Sequence, residues 1–157
     1  MNVQQTKKEK GFTIIEVVLV LAIAGLIFLM VFIALPALQR GQRDGQRRSD
    51  VSRFVSQLNS YATNNKGQLP ANENIKTFAA SYLKWKNDAS GEFNNPLTGN
   101  GYEITGGNEV PNSDGSEIVY TRNATCSGEG VDLNGGNRQA AIRVALEGGG
   151  VFCQDAK

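Results

Sequence analysis

One carboxylate, Glu16, interrupts an apolar run that extends from Phe12 to Leu38, and it is the only charge between Lys10 and Arg40. An ionisable group inside a segment fit for a bilayer is costly, so it is a functional candidate by default. Glu16 lies one helical turn from the start of the run, with the pair Gly11-Phe12 just ahead of it. A cut after Gly11 would leave a free amine on Phe12, a cation within one turn of the carboxylate. In a bundle of such helices, Glu16 of one chain can pair with the Phe12 amine of another. An unpaired charge in an apolar bundle is expensive, so the pairing sets axial register more than it adds net stability. The plainer alternative is a chance polar residue near the end of an ordinary membrane anchor.

The rest of the composition narrows the chemistry. There is no histidine, which removes the commonest general base, the Ser-His-Asp arrangement and the usual metal ligand. The two cysteines, Cys126 and Cys153, do not form a Cys-x-x-Cys motif, so zinc-ribbon and thioredoxin-like sites are excluded. In a domain outside the membrane they most simply pair as one disulfide, and in a cytosolic domain they would be free thiols. No catalytic residue, cofactor or metal is expected. Residues 1–70 hold nine Lys/Arg against four Asp/Glu, and residues 71–157 hold seven against eleven. Neither half shows the dense basic patch with interleaved aromatics of a nucleic-acid surface. The local stretch Arg40, Arg43, Arg47, Arg48 and Arg53 abuts the apolar run, which favours a membrane-surface or interhelix role.

The elements that position these residues follow from periodicity. Residues 1–11 form a polar leader whose order is the reverse of a secretory signal, because Gly11 precedes the apolar core. Residues 12–38 are long enough to span, since about 20 apolar residues cross a ~30 Å hydrocarbon layer. Gly25 and Pro36 are soft points in that helix, and Pro36 should bend it. Residues 39–64 continue it in amphipathic form, with Val51, Phe54, Val55, Leu58, Tyr61 and Ala62 on one face. Asn64-Asn65-Lys66-Gly67, with Pro70 beyond, is the stop. Ala37, Gly41 and Gly45 recur every four residues, as in a close helix–helix seam or a bent membrane exit.

Residues 65–157 form a globular domain. In 65–100 a short helix fits Ile75–Leu83, and 87–101 reads as loop. From 101 to 157 the period is two, with strands at Tyr102–Thr105, Glu117–Arg122, Ala140–Glu147 and Val151–Gln154. Ile142, Val144 and Leu146 share one face of the third strand, and Gly148-Gly149-Gly150 signals a hairpin. The stretches 106–116 and 127–138 read as surface loops. The expected fold class is α+β, a long helix packed by its second half on an antiparallel sheet.

The string Lys10-Gly11-Phe12-Thr13-Ile14-Ile15-Glu16 and the apolar run behind it resemble the class III leader and first helix of type IV pilins and their pseudopilin relatives. The strong resemblance covers residues 7–64. It implies prepilin-peptidase cleavage between Gly11 and Phe12, N-methylation of Phe12, and subunit assembly through Phe12, Thr13 and Glu16. It implies storage in the cytoplasmic membrane with the N-terminus inside and the domain outside, then an extracellular pilus. The implied partners are identical or related pilin subunits, prepilin peptidase and the inner-membrane assembly machinery. Filaments of this family serve adhesion, twitching motility and DNA uptake. The nearest rival is a pseudopilin of a type II secretion system. A rival of another class is a membrane-anchored ligand-binding domain or enzyme.

Counting charges gives a conflicting orientation. Lys7, Lys8 and Lys10 stand against Arg40, Arg43, Arg47, Arg48 and Arg53, so the positive-inside rule alone puts the C-terminal side in the cytoplasm. Those arginines, however, lie along a continuing helix rather than a short loop. Weaker signals are the sequon Asn123-Ala124-Thr125 and the fragment Asp132-Leu133-Asn134-Gly135, which has only part of a calcium loop. No phosphate-binding glycine motif follows a strand.

Overall fold

A computed structural model describes residues 11–157. The expected leader, apart from Gly11, lies outside the described residues. The chain divides into two compact units, one ending at Leu38 and one covering Gln39–Lys157. Helix α1 covers Ile14–Asn64 and ends where Asn64-Asn65-Lys66-Gly67 predicts. Its C-terminal turn closes through the Gly67 N–H, which donates to the Ala62 carbonyl at 2.7 Å, with Lys66 and Gly67 both at positive φ.

In the first unit the apolar side chains of α1 are exposed all round, including Leu21, Phe28 and Phe32. By length and composition this helix can cross a membrane. Pro36 sits inside the continuous helix, where its missing donor leaves the carbonyl four residues earlier without its usual partner.

In the second unit the amphipathic stripe is buried as its spacing requires. Val51, Phe54, Val55 and Leu58 enter the core, with Tyr61 and Ala62 packed at its edge. Helix α2, Ile75–Tyr82, follows a short 3-10 turn at Asn72–Asn74 and buries Ile75, Phe78 and Ala79. The strands are β1 Glu103–Gly106, β2 Glu117–Arg122, β3 Thr125–Ser127, β4 Gly130–Asp132, β5 Ala140–Ala145 and β6 Val151–Ala156. The main sheet has the order β1-β2-β5-β6, and β3 pairs with β4 separately. Registers Ile118↔Val144 and Tyr120↔Ile142 put those four side chains on the face that shares the core with α1.

Three features differ from the periodic reading. First, β2-β5 and β5-β6 are antiparallel as expected, but β1 runs parallel to β2. Parallel neighbours need a connection that carries the chain back along the strand. Residues 107–116 do this as a largely exposed loop that is tied to the sheet by hydrogen bonds. The Thr121 hydroxyl donates to the Gly107 carbonyl at 2.5 Å, and the Arg143 guanidinium donates to the Glu109 carbonyl at 2.5 Å. Arg143 is accordingly 2% exposed, although alternation alone would face it to water. Second, β5 stops at Ala145 rather than Glu147, because the Glu147 N–H goes to Asp44 of α1 instead of across the sheet. Third, the stretch 127–138 contains most of the β3-β4 hairpin. Cys126 on β3 is bonded to Cys153 on β6, with Cα atoms 5.8 Å apart. The Cys126 N–H also donates to Asp155 Oδ1 at 2.7 Å.

The arginine stretch is the clearest correction. Arg43 clasps Glu147 bidentately, Nε to Oε1 at 2.8 Å and Nη2 to Oε2 at 2.6 Å. Arg47 is fully buried and meets Asp44 at 3.1 Å, Glu147 at 2.9 Å and the Asp114 carbonyl at 3.1 Å. Arg48 stacks over Phe152, and Arg53 over Phe93. Four of the five arginines therefore hold the domain's own sheet and loops. The membrane-surface or interhelix role does not account for them.

Candidate functional site for processing and assembly

Gly11, Phe12 and Thr13 precede the helix in non-helical backbone, and all three are exposed. Phe12 is 89% exposed, and no other atom approaches the position a Cβ would take on Gly11. A peptidase must draw an accessible peptide into its site, and the Gly11–Phe12 bond is exposed, with the helix starting only three residues later.

Thr13 and Glu16 define that start. The Thr13 hydroxyl and the Thr13 main-chain N–H each donate to Glu16 Oε2 at 2.8 Å. The Glu16 N–H points back at the Thr13 hydroxyl oxygen at 3.4 Å. This is a capping box: Thr13 is the N-cap, and Glu16, three positions on, satisfies a donor the helix cannot. The carboxylate also sits in the first turn, where the helix dipole favours negative charge. By composition Glu16 is a charge awaiting a partner, whereas its local role has its own signature, Thr-x-x-Glu ahead of an apolar run. The structure thus brings Thr13 and Glu16 together.

Beside Glu16 the helix surface is otherwise apolar. Phe12, Val17, Leu19, Val20 and Leu21 line a shallow concavity whose single charged wall is the Glu16 carboxylate. Such a surface complements a group with an apolar ring and a cationic amine. Further along, no atom approaches the Cβ positions of Gly25, Gly41 or Gly45. At these points the helix backbone is open to close approach by another helix.

In the second unit the expected disulfide partners, Cys126 and Cys153, are joined. Asn123 of the sequon sits in the turn before β3 at φ +57. In the partial calcium loop, Asp132 Oδ1 accepts the Asn134 main-chain N–H at 2.9 Å and its side-chain amide at 2.7 Å. That is a local turn-forming arrangement. Among the described residues no group of three or more Cys, Asp or Glu is placed to hold a metal ion.

Comparison with known families agrees with the N-terminal geometry. The prokaryotic N-terminal methylation motif matches residues 6–32. No curated protein and no solved structure matches the chain. Residues 6–32, which contain the exposed Gly11-Phe12 junction and the Thr13–Glu16 cap, are the class III signal of type IV pilins, and the chain that bears it has a pilin-like α+β fold.

Proposed function

We propose that this protein is a structural subunit of a type IV pilus-like filament. It is stored in the cytoplasmic membrane through residues 12–38, cleaved after Gly11, methylated on Phe12, and assembled with identical or related subunits. The observation that carries this reading is the pairing of the methylation motif with a helical segment, Ile14 to Leu38, whose apolar side chains are exposed all round and whose only charge is Glu16. In the membrane such a helix is covered by lipid. In a filament the same surface is covered by other subunits, and the apolar concavity beside Glu16 receives the Phe12 amine and ring of a neighbour. The Thr13 bonds hold the carboxylate until that partner arrives.

The cross-link between Cys126 and Cys153 supports a domain that works outside the cytoplasm. The arginine excess after the apolar run no longer opposes that orientation, because Arg43, Arg47, Arg48 and Arg53 are committed to contacts within the domain. Adhesion, twitching motility or DNA uptake is the surface work of such a filament. The test is electron microscopy and shearing of cells with the gene, without it, and with Glu16→Ala. The reading expects filaments in the first case, none in the second, and a sharp loss in the third while precursor still reaches the membrane. Unchanged filaments in the deletion strain would contradict it.

A further inference from the structure

The end of the domain where α1 stops carries an open cleft of about 540 Å³. Tyr61, Asn64, Asn65, Lys66, Gln68 and Arg122 supply its polar and aromatic wall, and no carboxylate lines it. The Tyr61 ring is fixed edge-on against Phe78 at 5.6 Å and Tyr82 at 5.5 Å. Arg122 ends β2, and its main-chain N–H is held by Asn72 Oδ1 at 3.1 Å. Its side-chain Nε is buried without a hydrogen-bond partner, as are those of Arg47 and Arg143, so the donors it can turn to the cleft are its terminal nitrogens. The Arg138 guanidinium carbon lies 2.9 Å from where a Cβ on Gly67 would be, and Arg138 is not among the residues that line the cleft. Among the described residues, Lys66, Arg122 and Arg138 form no ion pair. Lys66 complements the C-terminal end of the α1 dipole, but Arg122 and Arg138 belong to the sheet side and do not.

We propose that this cleft binds an acidic saccharide, a sugar ring bearing a carboxylate. Lys66 and Arg122 receive the carboxylate by charge-assisted hydrogen bonds. The side-chain amides of Asn64, Asn65 and Gln68 both donate and accept, as ring hydroxyls require. The partly exposed Tyr61 ring offers a flat apolar wall on which a ring can rest. A concave site with a few convergent polar groups on a rigid frame is the usual form of a small-ligand pocket. Binding does not depend on filament assembly, so it stands or falls apart from the function proposed above.

The test is calorimetric titration of the full-length protein in detergent with a hyaluronan tetrasaccharide, with neutral chitotetraose, and with inorganic phosphate as competitor. The expected result is saturable hyaluronan binding that weakens with salt, with chitotetraose at least tenfold weaker. Lys66→Gln and Arg122→Gln together should lower the affinity at least tenfold at unchanged melting temperature. Lys66 is exposed, so Lys66→Gln alone, with a smaller loss, serves if the double variant does not fold. The proposal is overturned by absent binding, by equal binding of the neutral sugar, by variants that bind like the wild type, or by phosphate displacing the sugar at equal concentration.

Discussion

The Glu16 carboxylate accepts both the hydroxyl and the main-chain N–H of Thr13, each at 2.8 Å. A charge that looks unpaired in the sequence is therefore hydrogen-bonded within its own helix end. In the proposed assembly this bond is the resting state, and a neighbour's Phe12 amine adds to it or displaces it. A subunit can then wait in the membrane without a bare carboxylate and still offer it on docking.

Separating the two roles of Glu16 needs a Thr13 substitution. Thr13→Val removes the hydroxyl donor but keeps the carboxylate, and loss of an N-cap costs about 1 kcal/mol of helix stability. The expected outcome is a filament yield, measured in the sheared fraction, between wild type and Glu16→Ala. A Thr13→Val defect as deep as that of Glu16→Ala would assign the carboxylate to capping alone.

The docking of the β5-β6 turn on α1 rests on a compact ionic group. Asp44 accepts the N–H of Glu147 and of Gly148, each at 2.8 Å, while Arg47 bridges Asp44, Glu147 and the Asp114 carbonyl. Arg47→Met removes the cation shared by two partly buried carboxylates, but Glu147 keeps Arg43 and Asp44 keeps two amides, so the cost should fall below the roughly 3–5 kcal/mol of a fully broken buried pair. Thermal unfolding should show a clear fall in midpoint, with the N-terminal helix still inserted. A fall no larger than that of a surface substitution would show that the group is idle.

The same carboxylates set an acid limit. Desolvation raises the pKa of Asp44, but the amides of Glu147 and Gly148 and the Arg47 guanidinium outweigh it and hold the value below the usual range. The Arg43 guanidinium does the same for Glu147 against its own desolvation. A carboxyl with a depressed folded pKa adds stability above its unfolded value, about 4, and loses it as pH falls through the folded value. The contribution of this group to the urea midpoint should thus be constant from pH 7 to about 5 and disappear below about 4. Replacing Asp44 by Asn should flatten the acid fall, and an identical acid profile in that variant would refute the assignment.

Asp50 has the opposite sign. Burial raises its pKa against the Tyr102 hydroxyl, which donates to Asp50 Oδ2 at 2.8 Å, and against the nearby Arg53. A raised carboxyl pKa costs stability above the unfolded value, and the cost fades as pH falls. Asp50→Asn keeps an acceptor for Tyr102 without the charge. It should raise the melting temperature slightly at pH 7 and not at pH 4. A lower midpoint at pH 7 would show that the charged acceptor is worth more than its desolvation.

Closing a 27-residue separation, the Cys126–Cys153 bond is valued at roughly 3–4 kcal/mol by the chain-entropy argument. Reduction, or Cys126→Ser with Cys153→Ser, should lower the melting temperature and raise hydrogen exchange in the β3-β4 hairpin and β6 ahead of the core strands β2 and β5. Uniform exchange across the sheet after reduction would contradict a local staple.

Much of this architecture was legible because it is periodic. The stripe Val51–Ala62 and the alternation at Glu117–Arg122 and Ile142–Val144 each repeat at one characteristic spacing, and α1, β2 and β5 form over those residues. Contacts between distant residues have no period. Nothing local to Arg47 predicts that Glu147 and the Asp114 carbonyl will meet it, and nothing in Arg143 foretells that residues 107–116 must return over the sheet. The β3-β4 hairpin was hidden because Ser127 and Gly130 sit in a glycine-rich stretch with no apolar alternation, and its attachment to β6 comes from the disulfide. The Thr13–Glu16 cap was written in the sequence, but the apolar context drew attention to the charge rather than to its neighbour.

The most direct measurement is the intact mass and N-terminal sequence of the protein taken from the cell surface. The account predicts a mature chain that begins at Phe12, with its amine methylated and with Cys126 and Cys153 oxidised. A substitution of Gly11 by a bulky residue should leave only precursor in the membrane. A surface form that still begins at Met1, or that has been cut beyond Leu38, would contradict the central claim, since the helix would then carry its leader or be lost from the subunit.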